Sequence, residues 1–156
     1  MSRKLLPFIV PIVALACGPA AAGTATTTFT VSATVVATCG VSATSLAFGS
    51  YTGSSAVDQT STISVTCSNG AAYSVALNDG ANASGSTRRM TGGASNYLTY
   101  EMYSDASRTT VWNASAPVSG TGTGSAQSLT VYGRIPSGQN AVVGSYSDTV
   151  QVTVTY

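Results

Sequence analysis

The sequence predicts an all-β fold, a sandwich of the immunoglobulin-like kind, on three observations. Apolar and polar residues alternate with period two through most of the chain, and no stretch shows a helical period. Runs of five to ten such residues are separated by Gly-, Ser- and Asn-rich turns at the short spacings of a sandwich. Only 7% of the 156 residues are charged, and the bulk is Ser, Thr, Gly, Ala and Val, as in exported all-β domains. That length suits one domain.

The opening stretch MSRKLLPFIVPIVALACGPAAAG stands apart. Arg3 and Lys4 precede an apolar run from Leu5 to Ala16, and Ala20-Ala21-Ala22 supplies small residues for cleavage. These are the three regions of a secretory leader, expected at 1–22. The apolar run is short and interrupted by Pro7 and Pro11, so no direct membrane insertion is expected. Cys17 lacks the usual Leu three places upstream, which favours ordinary cleavage over lipid attachment. Without the leader the chain carries Arg88, Arg89, Arg108 and Arg134 against Asp58, Asp79, Glu101, Asp105 and Asp148. A net charge near −1 gives no footprint for nucleic acid.

Along the exported part, TFTVSATVVATC puts Phe29, Val31, Ala33, Val35, Ala37 and Cys39 on one face. SLAFGSY is a short second candidate strand. STISVTC aligns Ile63, Val65 and Cys67, and AYSVALN aligns Tyr73, Val75 and Leu77. Asn69-Gly70 between those two runs predicts a hairpin. Residues 79–96 predict a long loop. YLTYEMY puts Leu98, Tyr100 and Met102 together, and SDASRT predicts a turn capped by Asp105 and paired with Arg108. A short strand follows near Trp112, then a flexible SGTGTGSA, then a strand in QSLTVYGRI. In the closing YSDTVQVTVTY, Tyr146, Val150, Val152, Val154 and Tyr156 share one parity. No sequence follows to supply a covering strand, so its neighbour is expected from elsewhere; left bare, such an edge promotes aggregation.

Cys39 and Cys67 remain once the leader is removed, and an even pair in an exported chain predicts a disulfide. Closing that loop stabilises by about 3.5 kcal/mol in the chain-entropy model. A metal site at the pair would need further ligands, and the chain has no histidine. The same lack removes Ser-His-Asp and Cys-His catalysis, and loss of Lys4 removes a Ser-Lys dyad. The five acids sit in no recognisable glycosidase setting. GTGTG lacks the lysine and helix of a phosphate loop. The expectation is of no enzyme and no cofactor. Tyr73, Tyr100, Tyr146, Tyr156 and Trp112 are expected in the core rather than as sugar-stacking rings.

Together the run ending in Cys39, then LAFGSY, STISVTC, YSVALNDG, RRM, LTYEMYSDASRTTVW, VYGRIPSGQ and YSDTVQVTVTY resemble the spore coat protein U domain. That family includes subunits of archaic chaperone–usher pili. The resemblance implies an incomplete immunoglobulin-like β-sandwich completed by donor-strand exchange, with 23–37 as donor segment and 38–156 as the pilin domain. A periplasmic chaperone, an outer-membrane usher and other copies of the chain would be its partners. It would be exported to the cell surface as part of a fimbria, supporting adhesion or biofilm formation. Carried over residue by residue, the donor face is Phe29, Val31, Ala33 and Val35. The acceptor edge is Val150, Val152, Val154 and Tyr156. Burying the three larger donor side chains contributes about 1.5–3 kcal/mol each. Two other readings stay open: a coat protein whose N-terminal strand closes its own groove, and a carbohydrate-binding module using Trp112.

Overall fold

The computed structural model describes residues 18–156. The leader expected at 1–22 lies mostly outside these residues, and Cys17 lies wholly outside them. Two compact units meet at the Thr34–Val35 boundary. In the first, residues 18–34 take no regular secondary structure. The second, Val35–Tyr156, holds every strand among the described residues.

Those strands are β1 (Cys39–Ala43), β2 (Val57–Cys67), β3 (Ala72–Leu77), β4 (Arg89–Thr91), β5 (Tyr97–Thr99), β6 (Glu101–Tyr103), β7 (Val118–Thr121), β8 (Ala126–Ile135) and β9 (Val152–Thr155). One sheet has the order β1-β2-β8-β6 and a second the order β7-β3-β9, while β4 and β5 form a separate ribbon. Every pairing is antiparallel. The alternation seen in the sequence becomes the core. Ile63, Val65 and Cys67 of β2 and Val131 and Ile135 of β8 are buried with Tyr73, Val75 and Leu77 of β3. Phe48, Leu98, Tyr100, Met102 and Trp112 complete the cluster. Trp112 is 1% exposed, and its indole N–H donates to the Val75 carbonyl at 2.8 Å. The core placement expected for Tyr73, Tyr100 and Trp112 is therefore observed. Tyr146 is only half-buried, and Tyr156 is 60% exposed.

Four local expectations need correction. Asn69-Gly70 does not close a hairpin, because β2 and β3 belong to different sheets. Gly70 adopts a φ of 81° and its N–H reaches the Gly122 carbonyl, so the turn carries the chain across the core. Both strands present apolar faces, and facing them across a sandwich buries more than pairing them edge to edge. The 79–96 stretch is not all loop: Arg89–Thr91 forms β4, and Arg88 before it is 1% exposed. YLTYEMY is two strands, β5 and β6, parted at Tyr100, whose N–H turns to the Arg88 carbonyl. Ser119–Thr121 of the segment expected to be flexible belong to β7, paired with β3. Gly120 is required there because a Cβ would run into the Tyr73 ring.

Among the described residues, Arg88 is the one buried charge, and it joins several elements. Its guanidinium donates to the Asn78 carbonyl (3.1 and 2.7 Å), to the Trp112 carbonyl (2.9 Å) and to the Glu101 carboxylate. All but one of its donor bonds thus end on backbone oxygens, and the Trp112 carbonyl is one that the core would otherwise leave dry. Arg108 pairs with Asp58 at 3.4 Å, not with Asp105 as expected from the turn. Asp105 caps the turn alone, accepting from the Thr109 and Thr110 N–H groups and from two hydroxyls.

Replacing Arg88 by Met should cost about 3–5 kcal/mol, since Glu101, the buried Trp112 carbonyl and the Asn78 carbonyl lose their donor. A chemical-denaturation midpoint unchanged from the parent would contradict this role. Acid should also weaken the fold. The Arg134 hydrogen bond holds Asp58 below its ordinary value, and the Ser107 hydroxyl with the Thr110 and Thr109 amides does so for Asp105. Folded carboxyls of depressed pKa bind fewer protons than unfolded ones, so their contribution is complete above about pH 5 and is lost as pH falls below about 4. Urea midpoints measured from pH 7 to pH 2.5 should be level and then drop.

Candidate functional site

One edge of the second sheet is open. β9 pairs with β3 along Leu77↔Val152 to Ser74↔Thr155, and no strand pairs with its other side among the described residues. The same line of chain continues upstream of β9. There Ser147 exchanges two backbone bonds with Thr91, the Thr149 carbonyl accepts from Ala81, and the Gln151 carbonyl accepts from Asn78. All of these are odd-numbered positions, facing the β3 side. Backbone groups of the even positions Tyr146, Asp148 and Val150 point the other way and make no hydrogen bond among the described residues. This is half of a β-ladder without its partner.

Beside that edge runs a groove of about 390 Å³. One wall is Tyr146–Val150 with Val152, and the opposite wall is Ala43–Leu46 with Phe48. Its floor is apolar core: Ile63, Leu77, Met90, Tyr100, Met102 and Val131. At the Leu46, Phe48, Met90 and Tyr146 end it meets a second hollow of about 750 Å³ bounded by Gly49–Gly53 and Gln139–Tyr146.

Each wall has its own fixings. The Ala43–Leu46 wall is anchored by the Cys39–Cys67 disulfide, which joins residues directly opposite in the β1–β2 register with Cα atoms 4.1 Å apart. Beyond β1, the Thr44 N–H donates to the Thr62 carbonyl and the Ser61 hydroxyl to the Thr44 carbonyl. Leu46 and Phe48 then pack down on Gly133, where a Cβ would displace them. The SLAFGSY run is therefore packed wall rather than the strand expected.

The Tyr146–Val150 wall is held by an acid. Asp148 accepts from the Asn82 backbone N–H (3.1 Å), the Asn82 amide (2.9 Å) and the Tyr100 hydroxyl (2.7 Å). Burial, and then this carboxylate, push the Tyr100 phenol well above its ordinary range, so it stays a donor. Gly80, at φ 89°, leaves the space the carboxylate occupies. Tyr146 is set similarly, its ring against Gly92 and its hydroxyl donating to the Val142 carbonyl.

Of the expected acceptor residues, Val150 and Val152 line the groove. Val154 is half-buried opposite Val75, and Tyr156 lies at the exposed end; neither borders the groove. The groove instead extends upstream to Asp148 and Tyr146, a stretch the parity of the sequence contains but which the acid at 148 disguises. The expected donor residues Phe29, Val31 and Val35 are 85%, 82% and 93% exposed, and Ala33 is exposed too. Their alternation does not become a strand here, since a strand requires a ladder partner and alternation supplies only a face. Among the described residues no group of His, Cys, Asp or Glu could hold a metal ion.

The family model for the Spore Coat Protein U domain matches residues 25–153. A curated relative, Protein U of Myxococcus xanthus, is 38% identical over 109 residues, which span 62% of this chain and 59% of the relative. Among solved structures, the chain is similar to one in the CsuC–CsuE chaperone–tip adhesion subunit pre-assembly complex from archaic chaperone-usher Csu pili of Acinetobacter baumannii. That match has a TM-score of 0.58 at 24% identity, covering 79% of this chain and 40% of the other. The likeness is one of fold.

The Asp148 fixing can be tested by its removal. Asp148→Ala leaves the Asn82 amide and Tyr100 hydroxyl without their acceptor and should cost about 1–3 kcal/mol in thermal or urea unfolding. Tyr100→Phe, which removes one bond and leaves no orphan donor, should cost less.

Proposed function

The chain belongs to the Spore Coat Protein U domain family, and on that premise we propose that it is a structural subunit of a surface fimbria. It assembles by donor-strand exchange along the chaperone–usher route. The observation that carries this is the unpartnered even-position edge from Tyr146 to Val150, running beside a groove floored by core side chains. A strand laid there would satisfy the free backbone groups and cover Ile63, Leu77 and Met102 in one step. The exposed alternation at Phe29, Val31, Ala33 and Val35 has the period such a strand needs.

On this reading, 1–22 is the leader, 23–37 the donor segment and 38–156 the receiving domain. A periplasmic chaperone fills the groove first, and at an outer-membrane usher the donor of another copy replaces it. The product is a filament at the cell surface, built without catalysis, which contributes to adhesion or biofilm formation. The carbohydrate reading loses its principal ring, because Trp112 is buried under the sheets and donates to Val75.

Deleting Thr27 to Val36 from the exported chain should abolish filaments and SDS-resistant ladders, while the chaperone-bound subunit still accumulates. Filaments that persist after the deletion would overturn the proposal. An intact exported chain found only as a single-copy species would replace it with self-closure.

A further inference from the structure

The groove's lining fixes how the donor lies in it. This inference rests on the reading just given, and goes beyond it by naming residue pairs.

The acceptor side presents Tyr146, Asp148, Val150 and Val152 toward the groove, three large groups interrupted once by a carboxylate. That carboxylate is engaged by Tyr100 and Asn82 at its rim, so a bulky apolar neighbour pressed on it would strip its remaining water. The donor face Phe29, Val31, Ala33, Val35 is interrupted once as well, by its smallest member. We propose that the donor of a neighbouring copy runs antiparallel to this edge with Ala33 opposite Asp148. Val35 then faces Tyr146, Val31 faces Val150, and Phe29 faces Val152.

Three constraints converge on that register. Directly opposed residues on antiparallel strands place their side chains on one face. Pairing odd donor positions with even acceptor positions therefore buries the donor's apolar face, and a shift of one residue would turn it outward. The backbone groups of Tyr146, Asp148 and Val150 are free, so the pairs Val35–Tyr146, Ala33–Asp148 and Val31–Val150 are those that exchange hydrogen bonds. Direction follows from the other end of the donor. Thr38 is bound into its own domain, its N–H donating to the Ser68 hydroxyl at 3.1 Å. A parallel strand with Ala33 on Asp148 would place Ala37, next to that anchor, opposite Val152, and would leave Phe29 facing Gly144. The antiparallel arrangement uses only Phe29 to Val35 and opposes each to a side chain.

The test is disulfide trapping in cells that export and polymerise the full chain. Val31→Cys with Val150→Cys in one chain should give a ladder that survives boiling without reductant and collapses with it. Opposed residues about 5.5 Å apart lie within disulfide reach. Val35→Cys with Val150→Cys reports a parallel strand, and Val31→Cys with Val152→Cys reports a two-residue slip; both should give no boiling-resistant ladder. Ladders before boiling show that each variant folds and assembles. If the first pair assembles but does not cross-link, or if a control pair cross-links instead, the register is overturned while the assembly reading stands. If the unsubstituted chain forms no polymer, the assembly reading fails and this inference with it. In a second arm, Ala33→Leu in the donor should weaken incorporation about tenfold or more, because a large group meets the Asp148 carboxylate. Incorporation at the parent level would also overturn the pairing.

Discussion

Backbone amides and carbonyls that border a dry core must find partners, and at one edge of this sandwich they do not find them within the domain. The even positions from Tyr146 to Val150 hold free donors and acceptors beside a floor of Ile63, Leu77 and Met102. Most sandwiches close such an edge with another strand or protect it with charge, bulges or short length. Here the outward side chains are Thr149, Gln151 and Thr153, polar but uncharged, the Asp148 carboxylate on the other face is engaged by Asn82 and Tyr100, and β9 pairs with β3 along its whole length. What would be a liability in an isolated domain is what the proposed assembly by strand exchange would require.

That requirement explains where the fold spends its strongest local interactions. A groove that collapsed in the absence of a donor would have to be reopened before each junction, and the ordering cost would come out of the binding free energy. Both walls are instead held independently of an occupant. The disulfide and the Thr44–Ser61–Thr62 bonds hold the 43–48 wall. Asp148, with Asn82 and Tyr100, holds the 146–150 wall. Behind both, Arg88 satisfies the carbonyls of Asn78 and Trp112 and keeps β6 fastened through Glu101. Arg88 and Asp148 are core-side polar residues, and both sit where a loop rather than a strand must be fixed. Side chains there do what a ladder cannot.

The all-β class, the core of β2, β3 and β8 and the cysteine pair were legible in the sequence because period-two alternation and cysteine arithmetic are local signals. What was not legible depended on partners distant in the chain. Asn69-Gly70 has the composition of a hairpin turn, and nothing nearby says that β2 will pair with β1 and β8 while β3 pairs with β7 and β9. The 79–96 stretch looked like loop because its one decisive residue, Arg88, is polar and is buried only through contacts with residues 78, 101 and 112. Part of the groove's lining was legible: Val150 and Val152 follow from parity alone. Its centre was not, because Asp148 on an apolar parity reads as the end of a face. Only Tyr100 and Asn82, far away in sequence, show it to be a fixed part of the wall.

The same alternation has two outcomes within one chain, and the difference is instructive. Residues 63–67 and 29–35 carry equally regular patterns, yet Ile63, Val65 and Cys67 are among the most buried side chains and Phe29, Val31 and Val35 among the most exposed. Pattern therefore specifies which face of a segment is apolar, and supply of backbone partners decides whether the segment becomes a strand. An exchange mechanism needs a segment of that second kind: amphipathic enough to bind an open edge, without a strand partner at home. The match must then be read in the interruptions, since any run of valines would fit any apolar groove. In the proposed pairing, a small residue in the donor and a single engaged carboxylate in the groove would convert a generic apolar seam into one with a defined register.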